Sequence, residues 1–363
     1  MKKNLRFVLA LTLGLATTVS AQDWSVDSRT RVNSTEDAMS TDQRVRTAVD
    51  FGGDAVSAHI ELNSTATLGR LADGNLMEMG QQDFTLDIRQ AYATTNVMDF
   101  ASLTAGRMAL NFGSGRILGD NNWVNDKGNT WDGFLIGVNN DFADIHVGYA
   151  SSNDENGMPV AYDATTMYAN IGKDMGAMGF NLLYVNSTED VNNIESTSLG
   201  LDATYAMDNG LNLSLGYYTN DDGTTEMDLT TLGASYGVNE DLTVHAGYDM
   251  YGENGFYLAT GSFGDTYGSG MDYTMWNNQS DEFLGESTVM SLGGSYAMGN
   301  FMIGATLSTI TPETEGAFED ISVMDLALGY TLSDNSSISV NYASTDASGD
   351  DVTRTWISLH VGF

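Results

Sequence analysis

Alternation with a period of two runs through almost the whole chain, and few folds accept it. Successive side chains of a β-strand point to opposite faces, so an apolar residue at every second position marks a strand with one apolar face. Trp24, Val26, Ser28, Thr30 and Val32 alternate with Asp27, Arg29 and Arg31. Val45 to Phe51, Val56 to Leu62 and Phe84 to Ile88 repeat the pattern. Four later hairpins are nearly one repeated unit. Leu199 to Met207 turns at Asp208-Asn209-Gly210 into Leu211 to Tyr217, and Leu232 to Val238 turns at Asn239-Glu240-Asp241 into Leu242 to Tyr248. Leu292 to Met298 turns at Gly299-Asn300 into Phe301 to Leu307, and Leu326 to Leu332 turns at 333–336 into Ile338 to Tyr342. No apolar run reaches the 18 residues a membrane-crossing helix needs.

The other face is small or polar, as in Gly233, Ser235, Gly237 and Thr243. It would meet water in a soluble sandwich and a lumen in a membrane barrel. Two features select the barrel. Tyrosines recur just before the tight turns (Tyr205, Tyr236, Tyr296, Tyr330) and at the far end of the following strands (Tyr217, Tyr248, Tyr342), like the two aromatic belts of a membrane protein. The connections read as alternately long and short. Long ones lie near 34–42, 66–82, 113–131, 150–160, 187–196, 219–227, 251–287, 309–320 and 344–351. Short ones lie near 52–54, 96–99, 139–142, 173–177, 208–210, 239–241, 299–300 and 333–336. The expected fold is all-β, a transmembrane antiparallel up-and-down β-barrel of 18 strands, with 16 the alternative count. It must close, because lipid offers an open sheet edge no hydrogen-bond partner. The final strand presents Thr355, Ile357, Leu359, Val361 and Phe363 on one face. This pattern resembles the C-terminal signal read by the outer-membrane barrel-assembly machinery.

The first 21 residues read as a secretory leader. Lys2, Lys3 and Arg6 precede the apolar run Phe7 to Ala16, and Val19-Ser20-Ala21 offers small residues for cleavage. The expected organisation is a signal peptide over 1–21 and one barrel domain over 22–363, integral to the outer membrane of a Gram-negative bacterium. Cysteine is absent, which excludes a disulfide framework. The formal charge of −35 becomes −38 when the three leader cations are removed and no acid is lost. Nucleic acid is a poor partner for such a surface.

The cations are unevenly placed. Arg29, Arg31, Arg44, Arg46, Arg70, Arg89, Arg107, Arg116 and Lys127 come before residue 130, and only Lys173 and Arg354 follow. Parity points Arg29, Arg31, Arg44, Arg46, Arg89 and Arg354 inward, and closure sets the last strand beside the first. With Arg107 added, these are the candidate pore-lining residues, a basic wall over five strands. Asp27, Asp50, Glu61 and Asp87 on the same wall offer it ion-pair partners.

Residues 106–133 contain Gly106-Arg107, Leu110, Phe112, Arg116-Ile117-Leu118-Gly119, Trp123 and Trp131-Asp132-Gly133. Their spacing resembles the third-loop region of the alginate-export outer-membrane barrels. Met108 stands where that family often has Gln, and Trp131 where it often has Phe. The resemblance covers about 30 residues plus the strand plan. It implies 18 strands and export of an acidic polysaccharide, for which an electropositive lumen is the family pattern. Read on its own, the segment is a polar loop able to fold inward. Arg116, Asp120, Trp123, Trp131 and Asp132 are the candidate constriction residues, with Arg116 and Asp132 a candidate pair holding the loop.

No catalytic residues are assigned, since His59, His146, His245 and His360 lack a nucleophile-and-carboxylate spacing. Asp221-Asp222-Gly223 and Asp350-Asp351 lack calcium-loop spacing, so no metal and no cofactor is expected. The expected function is passive diffusion of small hydrophilic solutes or ions through a water-filled lumen. The alternatives are polysaccharide export and a surface-binding, adhesive barrel acting through residues 251–287. Outer-membrane lipid and the solutes are the expected partners, and the sequence is compatible with a homo-oligomer.

Overall fold

In the computed structural model, residues 22–35, 39–53, 55–69, 83–119, 130–152, 164–189, 194–256, 285–313, 320–347 and 350–363 are described. The leader, Arg70, Asp120, Trp123, Lys127, and residues 257–284 of the 251–287 segment lie outside them. The alternating segments all form strands: β1 (Gln22–Thr35), β2 (Met39–Gly52), β3 (Val56–Gly69), β4 (Asp83–Met98), β5 (Ala101–Met108) and β6 (Trp131–Asn139). Then come β7 (Asp144–Ser152), β8 (Ala164–Asp174), β9 (Met178–Glu189), β10 (Ile194–Ala206), β11 (Leu211–Asp221) and β12 (Glu226–Gly237). The series ends with β13 (Leu242–Tyr251), β14 (Ser287–Met298), β15 (Phe301–Pro312), β16 (Ile321–Ser333), β17 (Ser336–Ala347) and β18 (Asp350–Gly362).

Each strand pairs antiparallel with its sequence neighbours, and β1 pairs with both β2 and β18. The sheet is therefore a closed 18-stranded barrel. At the seam, Val26 and Phe363 exchange two backbone hydrogen bonds of 3.1 and 2.9 Å. The outer face is apolar. Leu292, Leu307 and Ile303 are more than half exposed. A water-soluble surface does not carry such a belt of large aliphatic side chains, and lipid does. Tyr205, Tyr236 and Tyr296 stand out from this face toward the tight turns, and Tyr149, Tyr184 and Tyr217 toward the other rim.

The tight turns fall where expected, but the opposite connections are not uniformly long. Those at 36–38, 190–193, 222–225 and 348–349 are as short as the turns. The strands flanking them continue past the apolar band, so alternation of charged and polar residues near a rim reads as loop although the ladder persists. In the connection after β11, Asp221 accepts from the Gly223 N–H and Asp222 from the N–H groups of Thr224 and Thr225. These carboxylates cap their own turn.

Gly106 adopts φ +131°, and a Cβ there would lie 2.2 Å from the Ala91 carbonyl oxygen. Only glycine lets β5 approach β4 at this point. Gly106→Ala is expected to destabilise the folded barrel by about 1–3 kcal/mol. The measurement is the urea midpoint of unfolding in lipid vesicles, and an unchanged midpoint would show that the strand relaxes freely.

Candidate functional site: a strapped lumen with one arginine wall

Strand parity decides which side chains enter the lumen. On β1, Asp27, Arg29, Arg31 and Asn33 alternate with outward Trp24, Val26, Thr30 and Val32. On β2, Asp42, Arg44, Arg46 and Asp50 share the inner face. Arg29, Arg31, Arg44, Arg46 and Arg89 are all buried. Arg354 enters from β18, its guanidinium 5.5 Å over the Trp356 ring. Arg29 stands directly opposite Arg44 in the β1–β2 ladder and opposite His360 in the β1–β18 ladder. Six arginines thus share one stretch of wall over β18, β1, β2 and β4.

Acids interleave with them. Arg44 donates to Asp27 at 2.8 Å, and His360 meets the other oxygen of the same carboxylate. Arg31 lies 4.0 Å from Asp42, which also takes Asn33. Glu61 on β3 collects the most: Arg89 at 2.9 Å, Gln90 at 2.8 Å and Arg46 at 3.5 Å. Asp50 pairs with His59 at 2.7 Å, and His59 stacks on Tyr92 with ring centroids 5.1 Å apart.

A β-bulge makes the Glu61 cluster. Glu61 pairs with Gln90 and Leu62 with Ile88, leaving Arg89 as the extra residue on β4. A bulge breaks the alternation for one step. Ile88 and Ala91 stay outward, while Arg89 and Gln90, adjacent in sequence, both turn to the same Glu61 oxygen.

Arg107 departs from the sequence reading. Its ladder neighbours are Leu103↔Ile136 and Ala105↔Phe134, and it pairs across with Asp132. Phe134 and Ile136 are exposed on the outer face, so Arg107 is also on that face. It makes a two-pronged ion pair with Asp132, both bonds 2.8 Å. Asp132 is therefore a strand residue paired with Arg107, not a loop residue paired with Arg116. Trp131 likewise opens β6, inward and buried against Met108.

Residues 109–119 leave β5 and cross the lumen as a strap. At its root, the Ala109 N–H donates to Gln90 Oε1 at 3.0 Å. At its tip, Ser114 Oγ lies 2.8 Å from the Tyr218 hydroxyl, which donates to Asp202 on β10. Arg116 reaches β13 and donates to Asp249 at 3.0 Å, with its guanidinium 5.7 Å from the centre of the Tyr218 ring. Burial works against the Arg116 charge, but Asp249, Tyr251 and Tyr218 more than offset it and hold the group above its ordinary range. Ile117 and Leu118 are fully buried with Tyr168, Leu183 and Leu229. Gly200 leaves the socket: a Cβ there would sit 2.9 Å from Ile117. The Phe112 N–H donates to the Leu118 carbonyl at 3.0 Å and turns the strap back on itself.

The strap runs as a chord from β5 to β13. On its turn side lies a cavity of about 1250 Å³, bordered by Asn111, Phe112, His146, Asn181, Ser214 and His245. Its wall over β11–β15 carries mostly Gly, Ser and Thr, such as Gly216, Thr231, Gly233, Gly247 and Ser291. Arg116 in the strap and Lys173 at the edge of β8 also border this cavity, and the six arginines above belong to the wall of β18, β1, β2 and β4. Sequence reading missed Gln90, Asp202, Tyr218 and Asp249. No local signal marks them, because their roles come from contact with the strap, directly or through Tyr218, and the strap's path is set by the tertiary fold.

Residues 10–168 match the family described as alginate export, and residues 115–256 match the one described as Gram-negative porin. No curated protein matches the chain. Among solved structures, Pseudomonas aeruginosa OccK5 (OpdH) aligns at 13% identity with a TM-score of 0.69, covering 95% of this chain and 98% of that one. P. aeruginosa OpdK with vanillate aligns at 14% identity and 0.68, covering 95% and 99%. Acinetobacter baumannii OccAB2 aligns at 16% identity and 0.70, covering 95% and 98%. At such identities these structures bear on the fold. Together with the family matches and the apolar outer belt, they make the chain an integral outer-membrane barrel that resembles the Gram-negative porin and alginate-export families.

Proposed function

We infer that the protein is a water-filled outer-membrane channel for small hydrophilic solutes, and that solutes bearing a carboxylate pass along the arginine wall. The observation that carries the finer statement is the Arg29–Arg44 pair, two like charges directly opposite in a ladder. Such a pair costs stability. Guanidinium groups bind carboxylates with two parallel hydrogen bonds. An anion that visits the wall gives the pair a use that structure alone does not. The strap supports small solutes over a polymer, since a polysaccharide would have to displace it. Vanillate, held by one of the similar structures, is a carboxylate of suitable size.

Polysaccharide export keeps the support of the match over residues 10–168. The bare Gly, Ser and Thr wall speaks against it, because a polyanion calls for cations around the whole lumen. An adhesive role would rest on residues 251–287, and deleting them would abolish binding while leaving conductance. The leader over 1–21 and recognition of the strand ending at Phe363 by the assembly machinery complete the proposal. Removing Phe363 tests that last step by periplasmic accumulation.

The channel itself is tested in planar bilayers. Purified protein is expected to give discrete conductance steps, with benzoate interrupting the current at millimolar concentration. A barrel that shifts on gels when boiled yet carries no current would overturn the reading.

A further inference from the structure

Glu61 has no evident place in an anion path. It is a buried carboxylate on the wall that is meant to attract carboxylates. It is nevertheless the most elaborately held side chain there. Arg89 and Gln90 converge on Oε2 at 2.9 and 2.8 Å, His59 Nε2 stands 3.8 Å from the same atom, and Arg46 lies 3.5 Å from Oε1. The β4 bulge exists at this point and brings two consecutive side chains to one oxygen. Bulges that re-aim side chains are features of sites.

We propose that Glu61 is an internal stand-in for the solute's carboxylate, and so sets how long an anion stays at Arg46 and Arg89. The proposal deepens the channel reading and rests on it. Buried guanidinium groups need a counter-charge. When the lumen holds only water, Glu61 supplies it. When a solute arrives, its carboxylate takes over hydrogen bonds that Glu61 gives up, and Glu61 takes them back as the solute leaves. Like replaces like, so neither step requires a bare guanidinium. A pore must bind strongly enough to admit and weakly enough to release. Without Glu61, an anion at Arg46 and Arg89 would face one competing carboxylate fewer and would stay longer.

The contact of Gln90 with the strap extends the consequence. Its amide donates to Glu61 while its carbonyl accepts from Ala109, the first strap residue. The carboxylate that answers to the solute is thus two hydrogen bonds from the root of the element that narrows the lumen.

The test is single-channel recording of wild type and Glu61→Gln with benzoate as the probe. Glu61→Gln is expected to lengthen benzoate dwell times about tenfold, which corresponds to about 1.4 kcal/mol. The reversal potential in a KCl gradient should move toward anions. A purely structural Glu61 would change neither in a barrel that still shifts on gels when boiled, and that outcome overturns the proposal. If Glu61→Gln yields no such barrel, Glu61→Asp decides: it keeps the charge but draws it back, and an intermediate dwell is expected. Wild-type dwell in Glu61→Asp overturns the proposal. A wild type without conductance takes it down together with the channel reading, whereas a conducting wild type with an indifferent Glu61 variant overturns this inference alone.

Discussion

Arg116→Met is expected to release the strap and raise single-channel conductance several-fold. The guanidinium is buried and donates to Asp249 at 3.0 Å. Its loss leaves the mostly covered Asp249 carboxylate without this partner, at a cost of up to about 3–5 kcal/mol. That cost falls on the strapped arrangement alone, because Asp249 faces lumen water once the strap has left. A shift of this size changes the ratio of strapped to released forms by about two orders of magnitude or more. The ladder pairings of the barrel do not involve Arg116, so the barrel should still be recovered. The double variant Arg116→Met, Asp249→Leu removes the orphaned charge and should return conductance toward the wild-type value. Unchanged conductance in the single variant would mean that Ile117, Leu118 and the Ser114–Tyr218–Asp202 chain hold the strap without help.

Replacing Arg29, Arg31 and Arg46 together by Gln is expected to turn the channel toward cations. The net charge of −35 argues for cation preference in the wild type, and the arginine wall argues for anions. Distance separates the two. The membrane band is roughly 25 Å tall, while salt screens a charge within about 8 Å at physiological strength. Acids at the mouths therefore enrich cations in dilute salt and lose their influence deep in the lumen as salt rises. Wild type should show cation preference in dilute salt that weakens or reverses with ionic strength. The triple variant should prefer cations throughout. Equal reversal potentials for the two proteins would show that acids of the wall, such as Asp42 beside Arg31 and Glu61 beside Arg46, neutralise these arginines at every salt concentration.

The barrel and its wall were legible because one rule, alternation, governs both. Parity alone placed Arg29, Arg31, Arg44, Arg46 and Arg354 on the face opposite Val26, Val45 and Ile357. The same rule contains the answer for Arg107, which shares parity with Leu103 and Ala105. Charge was weighed above position there, and Asp132 on the neighbouring strand is what makes an outward arginine tolerable. Around Arg89 the rule breaks, since continued alternation would have sent Gln90 outward. A bulge is visible only once both strands are in register. An inward course was suggested by the polarity of the segment that follows β5. Its anchors were not, because Arg116 and Asp249 lie 133 positions apart and nothing local in either segment names the other.

The closing seam has a further meaning for how such a chain matures. Arg29 and Arg31 come from the first strand, Trp356 and His360 from the last, and Asp27 meets His360 across 333 positions. Contacts so remote in sequence form slowly and late. The arginine wall is therefore completed by the same pairing that closes the barrel. A barrel still missing its final strand has neither a closed perimeter nor a complete arginine wall. Closure of the perimeter and completion of the arginine wall are one event.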